Sequence, residues 1–445
     1  MTTPIYDFVH RYKKSGKSRF HMPGHKGRGF INSLDITEIN GADVLYHAEG
    51  IIAESEANAT KLFNTGHTFY STEGSTLAIK AMLGIIARSR GAGAKILAAR
   101  NVHKAFVYAV GELDLSVEWI FPRKGGHPCE CKIAPEDVRA EIDSAELKPS
   151  AVYITSPDYL GNMLDVGGIA DVCNEYKIPL LVDNAHGAYL AFCEPNMHPI
   201  RLGAAMCADS AHKTLPVLTG GAYLHVAKEY TEYIAMARDT LSLFASTSPS
   251  YLTLCSLDLC NLRLSGSFAR ELTKCKQRVT KIKALLDSLG QRDNADEDIK
   301  IRIDAHRFGY TGTEVSQILR KNRVECEYAD EGYVVLMASP CNTARDFRRL
   351  SRAIEKIANT RRSRIDSDAP SLIAPPSAAM TVREALFAPY ESVSVKAAEG
   401  RICASPTVSC PPAIPIAVCG ELIDAELIKI LSYYGIDTVN VVKRD

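Results

Sequence analysis

The sequence lacks the features that would assign it to a membrane, a nucleic acid or a secreted scaffold. No apolar run approaches the roughly 18 residues needed to cross a bilayer, and the opening stretch MTTPIYDFVHRYKKSG has no apolar signal-peptide core. The expected location is therefore the cytoplasm, with no membrane partner. An excess of one charge is also missing. The 52 Lys and Arg residues balance 52 Asp and Glu, so no global field favours nucleic acid, and any charge recognition must be local. The thirteen cysteines are odd in number and scattered, with no secretory signal, and read as reduced thiols packed as small apolar residues. Cys129-Glu130-Cys131 is the only close pair. No partners at finger-like spacing accompany it, so no metal site is expected. Internal repeats and sustained heptads are absent.

What is present is a chain of 445 residues, 46% hydrophobic, long enough for a large core and two or three domains. Apolar positions at helical spacing predict helices over residues 51–63 and 77–88. A βα rhythm follows: strands over 95–99, 117–121, 152–155 and 179–182 alternate with helices over 102–111, 135–147 and 169–176. Short apolar runs between amphipathic helices predict a parallel sheet covered on both faces, an α/β fold. Helices over 230–238 and 251–289 then lead to a smaller α/β unit with strands 299–303 and 333–338 and helices 314–322 and 344–358. A final helix is expected at 424–434. The expected domains are an arm and loop (1–50), a large domain (51–250), a connecting helix (251–294) and a small domain (295–445) containing a solvated linker (360–378).

Ligands of such sheets bind beyond the carboxyl ends of the strands, and three candidates sit there: His103, the loop Ser156-Pro157-Asp158-Tyr159, and Asp183. Asp183, followed by Asn184-Ala185-His186-Gly187, can pair with a cation in the crevice, although an N-cap or a metal ligand is an alternative. Upstream, Gly74-Ser75-Thr76 opens a helix, where amide groups and hydroxyls can hold a phosphate or serve as plain capping. Downstream lies DSAHKTLPVLTGGAYLH, residues 209–225. Lys213 is bracketed there by apolar residues, and a partly desolvated amine is a nucleophile that forms imines with carbonyl groups. The alternative is an ordinary lysine at the end of an element. Near the N-terminus, two histidines, two basic residues and three glycines crowd residues 20–29, as in a loop closing on a ligand or partner subunit.

A helix start of phosphate type, a strand-end carboxylate and a Ser-x-His-Lys follow one another in the order of a fold-type I pyridoxal-phosphate enzyme. More narrowly, the chain resembles the bacterial-type Orn/Lys/Arg decarboxylase family in its short form. The resemblance rests on Pro23-Gly24-His25-Lys26-Gly27, Asn101-Val102-His103-Lys104, Thr155-Ser156-Pro157, Asp183-x-Ala185-His186-Gly187, Ser210-x-His212-Lys213-Thr214-Leu215, Pro411-Pro412-x-Ile414-Pro415 and Gly420-Glu421. It implies a fold-type I large domain with a smaller C-terminal α/β domain, and pyridoxal 5′-phosphate as cofactor. Lys213 would form the imine with the cofactor, and Asp183 would hold the pyridinium proton. Gly74, Ser75 and Thr76 would cradle the phosphate with help from Ser210 and His212. His103 would stack on one ring face and assist proton transfer, Ala185 would pack on the other, and His186 belongs to the cofactor-binding set. The implied reaction is decarboxylation of a basic amino acid, with arginine ahead of lysine or ornithine. His25 and Glu327 are the substrate-binding candidates, and a homodimer or higher homo-oligomer is the implied assembly.

Four departures from the family pattern bear on the substrate: Asn184 where an acid is common, Asp209 where an uncharged polar residue is usual, Gly220 where glutamine is frequent, and Ala413 for glycine. Another fold-type I reaction, such as an aminotransferase or lyase, or a non-catalytic cofactor-binding relative, remains the alternative. The chain is also expected to lack the N-terminal regulatory-type domain of longer members.

Overall fold

The computed structural model describes every residue except 30, 92, 123–125, 292–294, 361, 366–375, 409–413 and 445. Pro411, Pro412 and Ala413 of the sequence motif, and most of the expected linker, therefore lie outside the described residues. Seven strands, β1 (His67–Ser71), β2 (Lys95–Ala99), β3 (Ser116–Ile120), β4 (Ala151–Thr155), β5 (Leu180–Asp183), β6 (Met206–Asp209) and β7 (Ala222–Val226), form a sheet in the order β1-β7-β6-β5-β4-β2-β3. Strands β2 and β3 run parallel, as do β5 and β6. Their continuous apolar runs (KILAA, LLVD, MCAD) are those of strands buried on both faces.

The sheet is mainly parallel, as expected, with an exception at one edge, where β7 is antiparallel to both β6 and β1. The link from β6 to β7 holds only a four-residue helical turn, Ala211–Thr214. A parallel return needs a full crossover, usually through a longer helix. Strand β1 was also not anticipated: His67-Thr68-Phe69-Tyr70-Ser71 is short and mixed in polarity.

Two compact units divide the chain: residues Met1–Gly91, Ser150–Tyr153 and Val166–Arg270, and residues Ala92–Pro149, Ile154–Asp165 and Glu271–Asp445. In the first, the helix Gly74–Arg90 packs against β6, β7 and the helix Thr231–Phe244. Leu77, Ala78, Ile79, Ala81, Met82, Leu83, Ile85 and Ile86 are all buried, so apolar surface surrounds it and its N-terminus is held in place.

In the second unit, β8 (Lys300–Asp304), β9 (Tyr328–Ala329) and β10 (Tyr333–Met337) pair antiparallel in the order β8-β10-β9. The helices Gly312–Lys321 and Ala344–Asn359 each begin with a reciprocal cap, Thr311 with Glu314 and Thr343 with Asp346. The expected helical run 251–289 is two helices, Tyr251–Leu264 and Phe268–Ser288, interrupted around Gly266. Near the C-terminus, Tyr390–Ser394 pairs with Thr438–Val442 beside the helix Ala425–Tyr433. Val395, Cys403, Ile416, Leu427, Leu431 and Val441 form their small core. Among the described residues, no helix is long and apolar enough to cross a membrane.

Candidate active site

The first unit gathers the phosphate-type helix start and the Ser-x-His-Lys turn at one place. Ser210, the residue after β6, donates its hydroxyl to Ser75 Oγ at 2.7 Å. No side chain caps the helix at Glu73, which leaves the plain-capping alternative unsupported. The amide of Gly74 donates to the Gly220 carbonyl at 2.7 Å, and the side of Gly74 where a Cβ would point is open, with nothing within 4 Å. Gly220 has φ +95°, and a Cβ there would lie 2.6 Å from the Thr72 carbonyl oxygen. Any side chain would push that loop off the helix start, which gives Gly220 a steric reason where the family pattern suggests glutamine. His212 donates from Nδ1 to the Gly221 carbonyl at 3.0 Å, fixing the far end of the same turn.

Asp183 ends β5 and is only 2% exposed. Its Oδ1 accepts the Ala185 amide at 3.1 Å, and its Oδ2 accepts the Tyr153 hydroxyl at 3.4 Å. Burial pushes this carboxyl up from the ordinary range, against the opposing pull of Lys213, the Ala185 amide and Tyr153. A buried carboxylate so placed is best satisfied by a cation. Lys213, half-buried in the turn after β6, lies with Nζ 3.1 Å from His186 Nε2. Ala185 and His186 are both buried. Tyr153 is not legible in the sequence as a partner of Asp183, because an isolated tyrosine within an apolar strand reads as core.

The remaining candidates have their own surroundings. His103 caps the helix Lys104–Leu113 in the second unit, and its Nδ1 accepts the Ala105 amide at 3.1 Å, which places the proton of the neutral ring on Nε2. His25 engages both ring nitrogens within its own loop, Nε2 with Asp35 at 3.1 Å and Nδ1 with the Gly27 amide at 3.0 Å. Glu327 is exposed and accepts the Tyr159 hydroxyl at 2.9 Å.

Sequence comparison gives this arrangement a lineage. Residues 3–306 match the family model for the Orn/Lys/Arg decarboxylase major domain, and residues 364–438 match the model for the C-terminal domain. The chain belongs to the Orn/Lys/Arg decarboxylase family. It is 29% identical over 461 residues to the arginine decarboxylase of Bacillus subtilis, covering 96% of this chain and 92% of that protein. It is likewise 29% identical over 455 residues to that of Halalkalibacterium halodurans, covering 95% and 91%. The fold is that of fold-type I enzymes. The Francisella novicida lysine decarboxylase LdcF superposes with a TM-score of 0.80 over 99% of this chain and 81% of that chain at 18% identity. The Escherichia coli constitutive lysine decarboxylase gives 0.79 over 99% and 82% at 17% identity.

As a member of this decarboxylase family, the enzyme also shows what its late Gly420-Glu421 motif does. Glu421 accepts Arg100 Nη2 through both carboxylate oxygens at 3.2 and 3.1 Å, with both side chains 6% exposed. The same guanidinium donates to the Pro415 and Ile416 carbonyls, each at 3.1 Å. Gly420 has φ +90°, and a Cβ there would stand 2.3 Å from the Met380 carbonyl oxygen. The motif is thus a buried tie from the C-terminal segment to the residue preceding Asn101.

Proposed function

We propose that this enzyme decarboxylates a basic amino acid with pyridoxal 5′-phosphate as cofactor, with arginine the first candidate and agmatine the product. The single observation that carries the reading is the placement of Asp183, a buried carboxylate in need of a cation, in one unit with Lys213 and the Ser75–Ser210 hydroxyl pair. The residues fit the cofactor. The open side of Gly74 and the adjoining hydroxyls suit a phosphate, and Asp183 suits a protonated ring nitrogen. The cofactor, when bound, supplies the electron sink for breaking the bond between the α-carbon and the carboxylate.

The chain's own groups supply the rest. Lys213 Nζ would hold the cofactor through its carbonyl group, and His186 Nε2, 3.1 Å from Nζ, is within reach to take or return the amine proton. Ser75 and Ser210 would hold the phosphate, with Thr76 and His212 at the same turn, and Asp183 would retain the proton on the ring nitrogen. Ala185 leaves room beside that carboxylate. The parts given to His103, His25 and Glu327, and a homodimeric assembly, rest on the family resemblance alone. The arginine decarboxylases among the relatives favour arginine as substrate.

The test is an absorbance spectrum of the protein with added cofactor, followed by release of labelled carbon dioxide from carboxyl-labelled arginine, lysine and ornithine. Arginine should be turned over fastest. A protein that binds the cofactor and leaves all three inert sinks the reading, and a keto acid product would move it to an aminotransferase.

A further inference from the structure

Asp209 looks away from the candidate active site. Side chains alternate across a strand, and Asp183 is in register with Ala208. Cys207 and Asp209 therefore occupy the opposite face of the sheet, and His225 on β7 lies directly across from Cys207. His198, from the loop before β6, completes the group. His198 Nε2 and His225 Nε2 lie 3.1 and 3.2 Å from Asp209 Oδ2. Cys207 Sγ lies 3.7 Å from both His198 Nε2 and Asp209 Oδ1. One donor atom from each of the four residues falls within 4.8 Å of all the others, and the four are between 0 and 1% exposed.

We infer that His198, Cys207, Asp209 and His225 form a tetrahedral site for a divalent transition-metal ion, with zinc the best match to two imidazoles, a thiolate and a carboxylate. A tetrahedral zinc with bonds of about 2.0 to 2.3 Å holds its ligand atoms roughly 3.3 to 3.8 Å apart; the histidine separations of 3.1 and 3.2 Å from Asp209 Oδ2 lie just below that span, the Cys207–His198 separation of 3.7 Å lies within it, and the four donor atoms all lie within 4.8 Å of one another. Outer contacts of the kind that orient metal ligands are in place: Thr68 Oγ1 lies 2.9 Å from His225 Nδ1, and Asn184 Nδ2 donates to Asp209 Oδ1 at 2.6 Å. Phe63 packs against both imidazole rings.

Charge balance points the same way. A carboxylate enclosed in the interior is costly unless a cation or hydrogen-bond donors compensate it. A divalent cation bound to the Asp209 carboxylate and the Cys207 thiolate, whose proton leaves on binding, makes the cluster neutral. Enclosed on all sides, the ion would enter during folding and tie β6, β7 and the His198 loop together beneath the strand end that carries Asp183. The site is independent of the cofactor and of the substrate.

The full chain, expressed with zinc in the medium, should retain close to one zinc per molecule by elemental analysis after dialysis. Cys207→Ser should lose it. Thr68→Val should keep the fold but weaken retention roughly 10- to 100-fold in competition with a chelator, the usual effect of removing an outer partner. Refolding with cobalt(II) should give the intense visible bands of a tetrahedral ion and a thiolate charge-transfer band, both absent from Cys207→Ser. The assignment is overturned if the folded wild type holds no zinc and shows no cobalt bands, or if Cys207→Ser holds as much metal as the wild type. Should Cys207→Ser fail to fold, the wild-type cobalt spectrum and Thr68→Val decide the matter.

Discussion

In the proposed reaction Lys213 and Asp183 act through single atoms, so their replacement separates chemistry from fold. Lys213→Ala removes the amine proposed to hold the cofactor through its carbonyl group. Turnover should fall to background and the visible absorption of the bound cofactor should vanish; a wild-type spectrum from the variant would show that the covalent attachment lies elsewhere. Asp183→Asn keeps the shape and the Ala185 contact but cannot hold a ring proton by charge. Its decarboxylation rate should drop about 10²- to 10³-fold, the scale set by losing one preorganised electrostatic partner, with cofactor still bound in a spectral titration. A near-normal rate would remove Asp183 from the mechanism. Two departures from the family pattern also resolve at this scale. Asn184 stands where an acid is common and Asp209 where a neutral residue is usual, and the two side chains are hydrogen-bonded at 2.6 Å. Burial opposes ionisation of Asp209, but the imidazoles of His198 and His225 outweigh it and hold the carboxyl well below the ordinary range.

Elements in this enzyme are fixed largely at their ends. The helix Pro4–Lys14 has no side-chain cap at Thr3. Its first amides, of Ile5 and Tyr6, instead donate to Asp258 Oδ2 at 3.0 Å, while the Ser55 hydroxyl donates to Oδ1 at 2.6 Å. Burial pushes the Asp258 carboxyl up to about 6 from 3.8, against the lowering effect of Ser55 and the two amides. The folded chain therefore keeps this proton to a higher pH than the unfolded chain. The contribution of Asp258 to stability is then full below about pH 4 and declines as pH rises to about 6. Asp258→Asn, which imitates the protonated group, should flatten that dependence. Between pH 4 and 6.5 the wild type should lose about 2 kcal/mol relative to the variant, measured as urea midpoints across the range. Parallel curves for the two proteins would refute the assignment.

At the scale of the whole molecule, a long-range tie joins Arg100 to Glu421, 321 residues apart in sequence. Glu421→Gln leaves the guanidinium without its counter-charge in a dry environment and should cost about 3 to 5 kcal/mol. In urea unfolding, adding Arg100→Met should restore part of that loss, because the double variant no longer buries a lone charge. Strictly additive losses would mean that the pair does not interact.

The sequence by itself determined the family, the α/β class, the strand-end position of Asp183 and the place of Lys213 in the turn before β7. Each is written locally, in an apolar run, a turn or a motif of a few residues. Three decisions belonged to the tertiary structure. The direction of β7 follows from the short helical turn that precedes it. The pairing of Arg100 with Glu421 required the C-terminal segment to fold back. The meeting of His198, Cys207, Asp209 and His225 depended on strand register: their spacing matches no metal motif, and only the pairing of β6 with β7 sets Cys207 opposite His225 on the face away from Asp183.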